Sequence, residues 1–185
     1  IKASQRYITS SAQAEMGFTI PACIGVAFAK GYDVIGVTGD GSFMMNLQEL
    51  QTIAHYNLPV KLFVWNNDGY LSIRTTQKKF FEGREIGTDA ESGVSIPNIR
   101  KVVESFGIKY AYADAKGLEE AIKYTLEYDG PVVCEVICEK WQEVVPTLMG
   151  KKNDDGTITA KPLEDMYPFL SREEFYDNML IKPLD

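Results

Sequence analysis

Histidine is almost missing from this chain and cysteine is scarce. His55 stands alone, and Cys23, Cys134 and Cys138 sit singly inside apolar segments with no C-x-x-C pair among them. A structural zinc site needs four such ligands at short spacing, so none is expected. The three thiols read as buried and reduced, which fits a cytoplasmic protein. His55 closes the helical stretch "IAHYNLP" and reads as an exposed side chain near a helix C-terminus. Long hydrophobic runs are also lacking: none approaches the ~20 residues of a membrane span. The segment "IKASQRYITSS" has no apolar core of a signal peptide, and the chain opens on Ile1 rather than Met. It therefore reads as a piece of a longer protein. Basic clusters are missing too, and the net charge is -7. That balance excludes a nucleic-acid backbone as partner, because such binding needs clustered Lys and Arg. Finally, the first strand-to-helix turn has no G-x-G-x-x-G, and no G-x-x-x-x-G-K-[ST] occurs anywhere. A Rossmann or flavodoxin-type nucleotide module is disfavoured on that ground.

What is present is an ordinary globular composition, 45% hydrophobic and 24% charged over 185 residues. That length suits one domain with a sizeable core, burying roughly 70% of its unfolded surface, plus a tail. Residues 11–29, "SAQAEMGFTIPACIGVAFA", are apolar nearly all round and read as a helix buried on several sides. "DVIGV" and "VKLFVW" read as strands, with "NLQELQTIAHYN" between them at helical spacing and Pro59 after it. Then "IPNIRKVVESFG" reads as a helix closed by Gly107, "IKYAYA" as a strand, "GLEEAIKYTLEYDG" as an amphipathic helix and "PVVCEVI" as a strand. Alternating elements with continuously apolar strands imply βαβ units. The expected fold is α/β, three layers, a doubly wound and mostly parallel sheet with helices on both faces.

The domain is expected over residues 1–140. Residues 141–185 read as an irregular C-terminal extension, with a turn at Asp154-Asp155-Gly156 and a short helix that Ser171 begins as the capping box "SREE". Its Tyr167, Phe169, Leu170, Phe175 and Tyr176 are expected to pack on the body or on a partner chain.

Two polar turns stand directly on the ends of apolar strands: "GDGS" after the first and "NNDGY" after the second. In a doubly wound sheet, ligands bind beyond the carboxyl ends of the strands. Gly39 and Gly41 let backbone approach a ligand, and the helix beginning near Ser42 offers unpaired N–H groups to an anion. Asp40 would repel a phosphate unless a cation lay between. Magnesium fits, since it takes six oxygens from one or two carboxylates or carbonyls, phosphates and water. Either turn alone reads as plain turn chemistry. The pair is more specific, because one strand-helix-strand passage brings Asp40 and Asn67 to adjacent strand ends.

This spacing of "GDGS" and "NN" resembles the diphosphate-binding motif of thiamin diphosphate (ThDP) enzymes. Within them the chain is similar to the C-terminal, diphosphate-binding domain of the acetolactate synthase group. The resemblance runs from about Arg6 to Pro146 through "RYITS", "MGFTIPACIGVAFA", "GDGSFMMNLQELQTIAHYNLPVK", "NNDGY" and "FFEGREIGTD". It implies that Asp40 and Asn67 ligate magnesium by their side chains and Gly69 by its main-chain carbonyl. It further implies that Gly39, Gly41, Ser42 and Tyr70 line the cofactor, with Gly41 and Ser42 against the diphosphate. Met16 of "AEMG" would wedge under the cofactor and hold its rings in a V, with a core methionine as the bland alternative. Ala14 would offer its backbone oxygen to the 4'-amino group, at a position where acetolactate synthases commonly carry Gly.

The implied reaction is decarboxylation of a 2-keto acid such as pyruvate and carboligation to a second one, giving an acetohydroxy acid, a step of branched-chain amino acid biosynthesis. A decarboxylase or oxidase of the same superfamily, or a non-catalytic ThDP-fold subunit, are the alternatives. No catalytic residue is expected in this chain. The activating Glu would come from the pyrimidine-binding domain of a second subunit in a homodimer or homotetramer, and the domain's first strand would precede this chain. FAD, if used, would sit in a middle domain outside it. The chain departs from the group at "LSIRTTQ", where Leu71 and Thr76 replace the usual Gly and Trp, and in its long tail. Arg74 there reads either as a partner for a substrate carboxylate or as an exposed helix arginine.

Overall fold

The apolar runs become the strands of one parallel sheet in the computed structural model, which describes residues 2–142, 144–152 and 155–183. They are β1 (Val34–Gly39), β2 (Val60–Asn66), β3 (Lys109–Ala113) and β4 (Val132–Ile137), in the spatial order β1-β2-β4-β3. Gly39 lies opposite Trp65, and Asn66 lies opposite Ile137. The carboxyl ends of the three adjacent strands β1, β2 and β4 are thus level with one another, which is what gathers their following loops. Helices α1 (Thr19–Lys30), α2 (Asp40–Met44), α3 (Glu49–His55), α4 (Leu71–Phe80), α5 (Ile99–Ser105) and α6 (Leu118–Glu127) supply the connections.

Alternation along each strand sorts the core into two. On one face Val34, Val60, Leu62, Val64 and Val133 pack with Ile20 and Cys23 of α1, Leu50 and Ile53 of α3, and Ile99 and Val103 of α5. On the other, Phe63, Val132, Cys134, Ala111 and Ala113 pack with Ala121 of α6. Helices therefore cover both faces of a parallel sheet, as expected. Over β1 the second face stays open, leaving Ile35, Val37 and the neighbouring Trp65 about half exposed. Gly36 lets α1 sit close: a Cβ there would fall 2.6 Å from Cys23 Sγ and 2.9 Å from Leu62 Cδ1. Burial pushes the Cys23 thiol up to about 11, so it stays protonated as a small core hydrophobe.

The sequence reading needs four corrections here. The helix expected over 11–29 begins at Thr19, because Ser11, Ala14 and Gly17 take positive φ of 60°, 50° and 88° and break the backbone; only a 3-10 turn, Ser11–Gln13, stands before it. Its burial is a single stripe, Ile20, Cys23 and Ala27, with Phe28 exposed. The helix expected between the first two strands is split into α2 and α3. The cysteines are all free, yet Cys138 is only half buried. His55 is exposed at the end of α3, as its sequence context indicated. Among the described residues no helix is long and apolar enough to cross a membrane.

The chain divides into two units after Trp141. In the second, β5 (Lys151–Lys152) pairs antiparallel with β6 (Ile158–Thr159), and Thr147 exchanges backbone hydrogen bonds with Tyr167. Of the expected turn, Asp154 lies outside the described residues; Asp155 Oδ1 accepts from Thr157 N at 2.9 Å and Gly156 takes φ 83°. Helix α7 (Arg172–Asn178) starts as its capping signal requires, with Ser171 Oγ accepting from Glu174 N at 3.2 Å. Phe175 is buried, and Tyr167 meets Phe169 edge to face. Arg172 grips the buried Asp165 with both terminal nitrogens, at 2.9 and 2.8 Å, while Lys161 lies 3.2 Å away.

Two outcomes follow from this packing. Leu62→Ala, which empties a fully buried site at the sheet centre, should cost about 2–5 kcal/mol in urea unfolding. Arg172, with Lys161, holds the Asp165 carboxyl below its ordinary range. A depressed folded pKa contributes stability above the unfolded value of about 3.9 that is lost as pH falls through the folded one. Hydrogen-exchange protection around 161–178 should therefore drop on acidification, and Asp165→Asn should flatten that dependence.

Candidate functional site

Asp40 is the first residue beyond β1 and is 1% exposed. Its Oδ1 accepts from Gly41 N at 2.7 Å and its Oδ2 from Gly69 N at 2.8 Å. This pair of bonds joins the two turns that the sequence placed on neighbouring strand ends. Burial raises the Asp40 carboxyl above the ordinary range, against the opposing pull of the Gly69 and Gly41 N–H groups and of the Arg74 charge. Among the described residues no cation lies within salt-bridge distance of Asp40. A buried carboxylate without a countercharge is costly, so the donor set is one that a cation would complete.

Gly41 also receives the Tyr70 ring, since a Cβ at Gly41 would fall 2.4 Å from Tyr70 Cε1. Ser42 Oγ accepts from Gly17 N at 2.7 Å, and Asn46 Nδ2 donates to Gly17 O at 2.8 Å. The "MG" turn is thereby clamped onto the "GDGS" turn, and among the described residues Ser42 has no acceptor for its own O–H, which stays able to donate. Met16 is 41% exposed beside that clamp, and Ala14 is exposed in a left-handed conformation at φ 50°. Gly17, Asp40, Gly41, Ser42, Gly69 and Tyr70 are thus tied together by direct contacts. Gly39 has open space where a Cβ would stand. Asn67 is half buried, and its backbone carbonyl accepts from Arg74.

The helix beyond "GDGS" is only five residues long, and one of its first N–H groups, that of Gly41, is committed to the Asp40 carboxylate. Among the described residues no three His, Cys, Asp or Glu side chains converge on a point. A hard ion seated by one carboxylate, one amide and one carbonyl would take its remaining oxygens from phosphate and water, as magnesium does.

The sequence reading missed the groups that hold the second turn from behind. Asn66 Nδ2 donates to Glu135 Oε1 at 2.6 Å, Tyr110 Oη donates to Glu135 Oε2 at 2.6 Å, and Asn66 Oδ1 accepts from Asp68 N at 3.0 Å. The signal was a lone carboxylate in the otherwise apolar strand "PVVCEVI". Lys61, a lone cation in "VKLFVW", carries the same signal, but its ammonium caps the carbonyls of Tyr128 and Gly130 away from the site. Arg74 is fully buried, neither on the helix surface nor free to meet a substrate. Cys138 hydrogen-bonds Asn66 O through its backbone N at 2.8 Å, bringing the loop after β4 to the same place.

A family model described as the C-terminal TPP-binding domain of thiamine pyrophosphate enzymes matches residues 1–136. The chain belongs to that family. Relatives of this TPP-binding domain include the acetolactate synthase large subunit of Porphyra purpurea, 35% identical over 162 residues that cover 86% of this chain and 27% of that protein. The chloroplastic acetolactate synthase of Arabidopsis thaliana is 33% identical over 164 residues, covering 85% and 24%. Among solved structures, the thiamine diphosphate-dependent 4-hydroxybenzoylformate decarboxylase of Rhodococcus jostii RHA1 superposes with a TM-score of 0.60 at 30% identity, covering 69% of this chain and 24% of that one. The TPP-binding domain spans about a quarter of the length of the relatives it matches.

The turn geometry predicts a contrast between two glycines. A Cβ at Gly69 would fall 2.1 Å from the Thr88 carbonyl oxygen, at φ 118°. Gly69→Ala should therefore lower thermal stability by more than about 1 kcal/mol, whereas Gly39→Ala should stay within about 0.5 kcal/mol in the same melts.

Proposed function

We propose that this domain holds the diphosphate of ThDP through magnesium in a 2-keto acid carboligase of the acetolactate synthase type. The carrying observation is the buried, cation-less Asp40 bonded to the backbone of the Asn67-Asp68-Gly69 loop. Asp40 and Asn67 would ligate the metal by side-chain oxygens and Gly69 by its carbonyl. Ser42 would donate its free O–H to the diphosphate beside Gly41, with Gly39 leaving room for close approach. Tyr70 would close the wall over Gly41, Met16 would support the V between the rings, and Ala14 would accept the 4'-amino group on its carbonyl. When bound, the cofactor supplies the electron sink for the bond that breaks as carbon dioxide leaves. The residues of this domain place and charge-balance it.

The rest of the proposed enzyme lies elsewhere. A Glu from the pyrimidine-binding domain of a second subunit would activate the cofactor, in a homodimer or homotetramer, and the open apolar face at Ile35, Val37 and Trp65 supports such a neighbour. The substrates would be pyruvate and a second 2-keto acid, in branched-chain amino acid biosynthesis in the cytoplasm. Any FAD would bind outside this domain. The decarboxylase among the structural neighbours favours simple decarboxylation as the second reading.

Two measurements test this. Given pyruvate, the full-length enzyme should release acetolactate; free acetaldehyde with no coupled product would select the decarboxylase reading. Calorimetry should show magnesium-dependent ThDP binding that Asp40→Ala weakens by at least about 100-fold, the loss of a charged ligand being worth ~3 kcal/mol or more. Unchanged affinity in that variant would overturn the metal assignment.

A further inference from the structure

Arg74 does something that neither expectation for it covered. Its guanidinium is wholly buried, and it spends its donors on backbone carbonyls: Nη1 donates to Asp68 O at 2.6 Å, and Nη2 to Asn67 O and Lys140 O, both at 2.9 Å. Its own backbone N donates to Tyr70 O at 3.0 Å. In the run Asn67-Asp68-Gly69-Tyr70, one residue therefore occupies the carbonyls on both sides of Gly69. Meanwhile Gly69 N is committed to Asp40 and Tyr70 N to Thr88 O at 2.8 Å. Among the described residues the Gly69 carbonyl is the one in this run that these bonds leave unoccupied.

The guanidinium is itself fixed from two further sides. The buried Asp89 carboxylate lies 3.8 Å from Nη1, the Trp141 ring lies 5.4 Å below, and Asp89 is held in turn by Lys140 Nζ at 2.9 Å and by Ser92 N and Oγ at 3.0 and 2.8 Å. Lys140 also reaches Asp68 at 3.3 Å. Among the described residues Nε is buried with no hydrogen-bond partner. A side chain whose only purpose were stability would not strand a polar atom there, since a buried unmet donor is destabilising. A fork that must span two consecutive carbonyls has its orientation dictated by them and leaves Nε where it falls.

We infer that Arg74 is a positioning residue for the metal: by occupying the Asn67 and Asp68 carbonyls it presents the Gly69 carbonyl as the main-chain ligand and sets the loop against Asp40. This rests on the magnesium reading of that loop. A lysine keeps the charge but cannot fork across two carbonyls, so the inference separates charge from geometry.

The test is a magnesium titration of the folded full-length enzyme at fixed ThDP, with Asp40→Ala as control. Groups that orient a metal ligand typically contribute 10–100-fold in metal affinity. Arg74→Lys should raise the magnesium Kd by roughly that factor, with ThDP binding restored by excess magnesium, a rescue that a merely structural defect would not show. Folded Arg74→Lys protein with unchanged magnesium affinity, or with weakened ThDP binding that excess magnesium fails to restore, would overturn the inference. If Arg74→Lys does not fold, Asp89→Asn, which removes the buried countercharge at constant size, is read in the same way: a Kd raised at least about threefold supports the inference and an unchanged one overturns it. If Asp40→Ala itself binds magnesium and ThDP as the unaltered enzyme does, the magnesium reading falls and this inference with it; if only the Arg74 and Asp89 variants are silent, that reading stands and the positioning role alone falls.

Discussion

The bond from Gly69 N to Asp40 Oδ2, at 2.8 Å, is the constraint on which the rest of the site depends. It joins the ends of two parallel strands through a carboxylate that is buried in low dielectric and takes its other hydrogen bond from Gly41 N. Because β1 and β2 are in register to their last residues, Asp40 and the 67–69 loop are brought together before any ligand arrives. The sheet supplies rigidity, and the loops inherit it. An ion bound there would meet oxygens already fixed in place, so little reorganisation would be needed on binding.

Two buried networks keep the second loop where that bond needs it. One runs from Tyr110 through Glu135 to Asn66 on the sheet face packed against α5. The other runs from Asp89 and Lys140 through Arg74 to the carbonyls of Asn67 and Asp68. Their charges would be costly alone, and they persist because nearly every polar atom has a partner. The loop is held from the sheet side and from the α4 side, so it has little freedom to follow a ligand.

Much of the fold was legible because the strands announce themselves. "VKLFVW" and "PVVCEVI" are continuously apolar, and only a parallel sheet covered on both faces buries both sides of such strands. Residues 11–29 misled for a local reason. Their composition is helical and apolar, yet positive φ at Ala14 and Gly17 is a backbone state that composition does not reveal, and it moves the helix start to Thr19. The expected burial on several sides failed likewise, since Phe28, like Ile35 and Val37, faces outward in this chain. Glu135 could have been found in the sequence as a charge among apolar neighbours. Arg74 could not, because "LSIRTTQKKF" reads as a surface helix throughout.

The sequence by itself determined the kind of site: two glycine-rich polar turns on strand ends, one strand-helix-strand passage apart, carry their chemistry in residue types and spacing that a linear reading can weigh. Tertiary structure alone decided how those turns are held. Arg74 lies within a few residues of the Asn67 and Asp68 carbonyls it binds, yet its meaning comes from Asp89 and from Lys140 and Trp141 beyond β4, which only the folded sheet brings beneath the loop. Local pattern records what a segment would do alone. Burial of a charge is settled by what the rest of the chain places around it, and no local pattern records that.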